Sequence, residues 1–120
     1  MFFSWAEAPE TEIIAGFRGR MLHSERMTFV RWEIAAGAVL PEHDHPHEQV
    51  AHVFSGRFEI TISGEIRVVG AGEVAVIPPN ARHSGRALTD CQIIDAFCPV
   101  REDYRGTPTG DVLRQAAAER

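Results

Sequence analysis

The chain has 120 residues, 44% of them hydrophobic, enough for one domain with a core of its own and too many for extended disorder. Its formal net charge is −5, from 12 basic and 17 acidic residues, which excludes the basic footprint of a nucleic-acid binder. Every basic residue is Arg, so lysine Schiff-base chemistry is excluded too.

Residues 1–12 read as an irregular lead or a short edge strand. The opening MFFSWAEAPE has no basic leader and too short an apolar run for a signal peptide, and no stretch approaches the roughly 18 apolar residues of a membrane span. Residues 13–20, IIAGFRGR, predict a short strand ending in a turn, and 21–35 a longer extended segment. Within that segment Thr28, Val30, Trp32 and Ile34 alternate with Phe29, Arg31 and Glu33, the period of a strand with one buried face. After Ala36-Gly37-Ala38 and a histidine-rich stretch, strands are predicted at 49–54, 57–62, 65–69, 73–77 and 91–98. Ser55-Gly56, Ser63-Gly64 and Gly70-Ala71-Gly72 supply turns, and Pro78-Pro79-Asn80 a stop. Cys91 and Cys98 differ in parity along the last strand, so no disulfide joins them, and a reduced cytoplasmic protein is expected. Only 111–119, DVLRQAAAE, reads as helix. The expected organisation is a lead at 1–12, one all-β domain at 13–104 and a tail at 105–120.

The chemistry concentrates in residues 43–49, HDHPHEQ. On an extended chain His43 and His45 point to the same side, so both imidazoles can aim at one metal ion. The alternative is a polar loop with a stray histidine elsewhere. His47 and His52 have the wrong parity or no motif position and read as surface or outer-shell residues; His23 is assigned nothing. Two punctuated patterns surround this stretch. The first is Gly37, five residues, His43, one residue, His45, three residues, Gln49, six residues, Gly56. The second is Gly72, five residues, Pro78, one residue, Asn80, two residues, His83.

Together these patterns resemble the two signature motifs of the cupin superfamily. The resemblance implies a double-stranded β-helix, a jelly-roll barrel, in which His83 returns to the point where His43, His45 and Gln49 meet. The implied cofactor is one divalent transition metal; Mn, Fe, Co, Ni and Zn all accept three imidazoles and an amide oxygen. Two positions depart from the pattern. Asn80 stands where cupins commonly have Gly, a tolerable exchange because Asn adopts left-handed backbone. Gln49 stands where they commonly have Glu; a neutral oxygen leaves more charge on the ion, which favours Lewis-acid over redox work. Glu48 is the alternative fourth ligand, although its parity turns it away.

The last strand adds Asp95 and Phe97 on one face, then Pro99 and Arg101. An Asp on an apolar strand reads either as a general acid/base beside the metal or as a hydrogen-bonded structural carboxylate. Arg101 reads as a clamp for a substrate carboxylate at the barrel rim or as the partner of Glu102 or Asp103. HxHPHEQ, the central hairpin and the closing Asp-x-Phe-x-x-x-Arg resemble the small single-domain cupins of the KdgF type. That resemblance implies conversion of cyclic 4,5-unsaturated uronate monosaccharides to the linear keto form in pectin and alginate breakdown. It implies His43, His45, His83 and Gln49 as metal ligands, Asp95 and Arg101 as catalytic, and Phe97 and Arg101 on the substrate. A metal-dependent dioxygenase and a non-catalytic sugar-binding or sensor cupin stand as alternatives. The expected partner is a small sugar acid, and Phe2, Phe3 and Trp5 would suit a homodimer interface.

Overall fold

Alternation of inward and outward side chains runs through the computed structural model, which describes residues 1–105; the helix expected at 111–119 lies outside the described residues. The strands are β1 (Thr11–Ile14), β2 (Phe17–His23), β3 (Thr28–Ile34), β4 (Val39–His43), β5 (Glu48–Ser55), β6 (Arg57–Ile62), β7 (Glu65–Gly70), β8 (Val74–Ile77), β9 (His83–Ala87) and β10 (Cys91–Cys98). They form two antiparallel sheets, in the order β1-β2-β3-β10-β5-β8 and β4-β9-β6-β7. This is the expected all-β jelly roll. No helix among the described residues is long and apolar enough to cross a membrane.

The strands from β5 to β8 and β10 fall close to where the turn residues put them. The N-terminal third needs two corrections. The single strand expected at 13–20 is a hairpin: Gly16, at φ 82°, turns the chain so that Ile14 pairs with Phe17. The extended segment expected at 21–35 is broken at Ser24, whose backbone N–H donates to Met27 O while its hydroxyl accepts from Met27 N–H. No Gly or Pro marks that turn, so alternation alone could not reveal it.

The core lies between the sheets. Val30, Trp32 and Ile34 of β3 meet Ala51 and Val53 of β5, Phe58 and Ile60 of β6, and Ile93 and Phe97 of β10. The Phe17 ring stands edge-on to Trp32 and Phe58, at 5.9 and 6.4 Å. Each such side chain contributes about 1.5–3 kcal/mol on burial, which holds the two sheets face to face and so holds the site between them. Cys91 is buried, Cys98 is exposed, and neither is bridged.

The turn between β5 and β6 is the tightest point of the framework. Gly56 has φ +84°, and a Cβ there would lie 2.9 Å from Cys91 Cα and closer still to the Asp90 carbonyl. Gly64 has the same φ with nothing within 4 Å. Gly56→Ala is therefore expected to lose about 2–4 kcal/mol, and Gly64→Ala about 1–2 kcal/mol. Urea unfolding of both variants checks this; equal losses would mean that backbone conformation, not crowding, sets the cost.

Candidate metal centre

The two sheets supply opposite walls of one site. His43 ends β4 and pairs directly with His83, which opens β9. Across the barrel, Gln49 of β5 pairs with Phe97 of β10, and Asp95 lies two residues along the same face. His45 sits in the link between β4 and β5, and its carbonyl accepts the backbone N–H of Asn80 at 2.8 Å. Asn80 has φ 65°, the left-handed conformation expected of it, so the turn of the second motif pins the loop of the first. His43, His45, Gln49 and His83 are all buried, whereas Glu48 faces solvent. The strand parity that turned Glu48 away is the observed one.

His43, His45 and His83 offer nitrogen atoms within 4.8 Å of one another. Their tautomers follow from their partners. Nδ1–H of His43 donates to Pro41 O at 2.8 Å, that of His45 to His47 O at 3.0 Å, and that of His83 to Ala81 O at 2.9 Å. A carbonyl oxygen can only accept, so each Nδ1 carries the proton and each Nε2 presents a lone pair. His83 Nε2 is buried without a partner. His45 Nε2 lies 3.1 Å from Gln49 Oε1, which leaves one acceptor facing another. A cation satisfies these buried acceptors, so the residues fit a divalent metal held by three imidazoles, with the Gln49 oxygen beside them. Burial, then the mutual proximity of the rings and Arg101, lowers the pKa of His43 to about 4 and of His45 to about 3; burial lowers that of His83 as well. The cluster is thus neutral and ready to ligate at pH 7.

Asp95 lines the same cavity as His43, Gln49, His83, Phe97 and Arg101. Its Oδ2 accepts the Trp32 indole N–H at 2.9 Å, and its Oδ1 is buried without a hydrogen-bond partner. Burial pushes its pKa up to about 6; the neighbouring Gln49 amide, the indole N–H and Arg101 pull the other way, the amide without closing a bond of good geometry. Arg101 is not exposed at the rim. Its side chain is 1% accessible, its guanidinium lies 4.7 Å from the Phe97 ring centre and 4.1 Å from that of Tyr104, and its Nε and Nη2 donate to Asp103 at 2.8 and 2.6 Å. Burial opposes the Arg101 charge, but the bond to Asp103 together with Tyr104 and Asp95 nearby outweighs it and raises the pKa. Pairing with Asp103 was one of the two readings of Arg101, and it occurs in the interior instead of on the surface.

Three supporting residues were not legible as functional. Trp32 anchors Asp95, and Tyr104 closes the cage around Arg101. Thr28 accepts the Arg101 backbone N–H at 2.8 Å while its hydroxyl also bonds His23 Nδ1 at 2.9 Å. Thr28 did carry a signal, as the polar member of an otherwise apolar strand face. His47 contributes its carbonyl to His45 rather than its ring to the cluster. His52 stacks on Phe54 at 4.3 Å, away from the site.

Residues 30–97 match the Cupin domain family. The chain is a cupin. It is 31% identical over 106 residues to the pectin degradation protein KdgF of Dickeya dadantii, an alignment covering 86% of this chain and 96% of that one. Among solved structures it superimposes on KdgF from Halomonas sp. with a TM-score of 0.81 and 31% identity, over 86% of this cupin and 96% of that chain. An RmlC-like cupin from Shewanella frigidimarina gives the same TM-score and identity, over 86% and 94%. This cupin is thus a homologue of KdgF, and its histidine cluster is able to hold a metal.

Proposed function

We propose that this cupin opens the ring of 4,5-unsaturated uronate monosaccharides to give the linear keto acid. The observation that carries the reading is Asp95, a buried carboxyl with one unpaired oxygen and a pKa raised to about 6, lining one cavity with His43, His83 and Arg101. The homology to a pectin degradation protein supports it.

The reaction is an isomerisation. The C1 hydroxyl loses a proton as the bond from C1 to the ring oxygen breaks, and C4 gains a proton as C5 becomes a ketone. A single group that accepts and then returns a proton balances it, and a carboxyl with pKa about 6 is suited to both halves. Trp32 fixes Asp95 through Oδ2, so Oδ1 is the atom that exchanges the proton. His43, His45, His83 and Gln49 would hold the divalent ion, which when bound supplies Lewis-acid polarisation of a sugar oxygen. Gln49 adds no negative charge to that set, in keeping with chemistry that needs no change of oxidation state. Arg101 would take the uronate carboxylate, and Phe97 would pack the sugar face.

The test is the enol-ether absorbance of a 4,5-unsaturated uronate. Metal-loaded protein is expected to accelerate its loss at least about a hundredfold over buffer, the scale of one positioned acid/base group. No acceleration sinks the reading. Turnover that consumes oxygen would favour a dioxygenase instead.

A further inference from the structure

Arg101 already carries a carboxylate. Its Nε and Nη2 meet the two oxygens of Asp103 at 2.8 and 2.6 Å, the two-pronged contact that a guanidinium makes with any free carboxylate. The guanidinium is held where it lies: Phe97 and Tyr104, two rings at 83° to each other, flank it at 4.7 and 4.1 Å, and Thr28 accepts its backbone N–H. The acid is the accessible partner: its side chain is 20% exposed, against 1% for Arg101. It sits in a single 3-10 turn, Glu102–Tyr104, which has no side-chain cap and rests on two backbone hydrogen bonds of 3.1 Å. One such turn rearranges at little cost.

We infer that Asp103 is a built-in competitor that occupies the substrate carboxylate's seat on Arg101 and yields it only to an acidic sugar. The inference rests on the uronate reading above. The exchange replaces one carboxylate by another on the same fork, so the guanidinium stays paired throughout and its burial is never left uncompensated. A neutral sugar offers no such replacement and meets a closed seat. Asp103 thereby determines specificity by opposing every ligand and being displaced by one class. Because it is tethered beside the fork, it competes at a high effective concentration and weakens the apparent affinity for uronates.

Calorimetric titration of the metal-loaded protein tests this with D-galacturonate, which lacks the enol ether and is bound without being consumed. Asp103→Asn keeps the side chain's shape and removes its charge. It is expected to bind galacturonate about tenfold more tightly than the wild type, with D-galactose binding unchanged. Asp103→Ser provides the same comparison if thermal melting shows Asp103→Asn to be poorly folded. Unchanged or weaker galacturonate binding in the folded variants overturns the inference, because Asp103 would then be orienting Arg101 and not competing for it. Absence of galacturonate binding in every form overturns it as well. Failure of the uronate reading itself is seen separately, in the enol-ether assay of the wild type.

Discussion

Asp95→Asn is expected to abolish turnover and at the same time to stabilise the metal-free protein. The loss should be about 10²–10⁴-fold in kcat, because Asn preserves the shape and the contact with Trp32 but cannot carry a proton. Metal content, measured by elemental analysis, should not change. The gain in stability follows from the pKa. Asp95 is raised from 3.8 to about 6, chiefly by burial, so the folded state holds a proton that the unfolded chain releases between those values. Its contribution to stability is neutral below 3.8 and becomes fully unfavourable above about 6, with a ceiling of about 3 kcal/mol. Thermal melts of the variant should therefore exceed the wild type at pH 7.5 and converge with it as the pH falls toward 4. A variant that retains the wild-type rate would remove Asp95 from the reaction.

Chelation is expected to lower the melting temperature of the wild type and to leave His83→Ala unaffected. A ligand bound only by the folded state stabilises it by about 2.7 kcal/mol at a hundredfold excess over Kd. His83 contributes a buried lone pair with no partner, so removing it should weaken metal affinity by more than about a hundredfold, beyond what loss of an outer-shell residue costs. The same cluster predicts a pH effect. His43 and His45, at about 4 and 3, and the likewise lowered His83 bind fewer protons when folded than when unfolded. For the metal-free protein, stability is present above the ordinary histidine range near 6.5 and is lost as the pH falls through the folded values. This runs opposite to Asp95, and three imidazoles against one carboxyl give net loss on acidification. Metal should still be retained at pH 5, where histidines of ordinary pKa would be mostly protonated. Tight metal binding by His83→Ala would show that the cluster is not the site.

Much of the barrel was legible because turn chemistry is local. Gly56, Gly64 and Gly72 lie in left-handed backbone, and the strands between them begin and end near their turns. The break at Ser24 to Met27 was not legible, since a hydroxyl and a backbone N–H close it without a marked residue. Asn80 shows the limit from the other side. Its left-handed conformation was readable from residue type, but its grip on the His45 carbonyl depends on two loops meeting in space.

HDHPHEQ by itself pointed to two of the three clustered histidines: alternation aimed His43 and His45 one way and turned Glu48 out, because the side-chain period of an extended chain is two, while His83 came from the second motif. Spacing and turn residues likewise determined the cupin fold. Only the tertiary structure decided the chemical states. Which nitrogen carries the proton depends on the carbonyls of Pro41, His47 and Ala81, and the raised pKa of Asp95 depends on burial between two sheets. The partner of Arg101 was undecided along the chain, where Glu102 and Asp103 lay equally within reach. With Phe97 and Tyr104 packed on two sides of the guanidinium, Asp103 is the carboxylate that reaches its fork. Residue type and side-chain parity are local and survive in the sequence; protonation and pairing are set by what surrounds each group, and that is assembled only when the sheets close and bring His83 to His43.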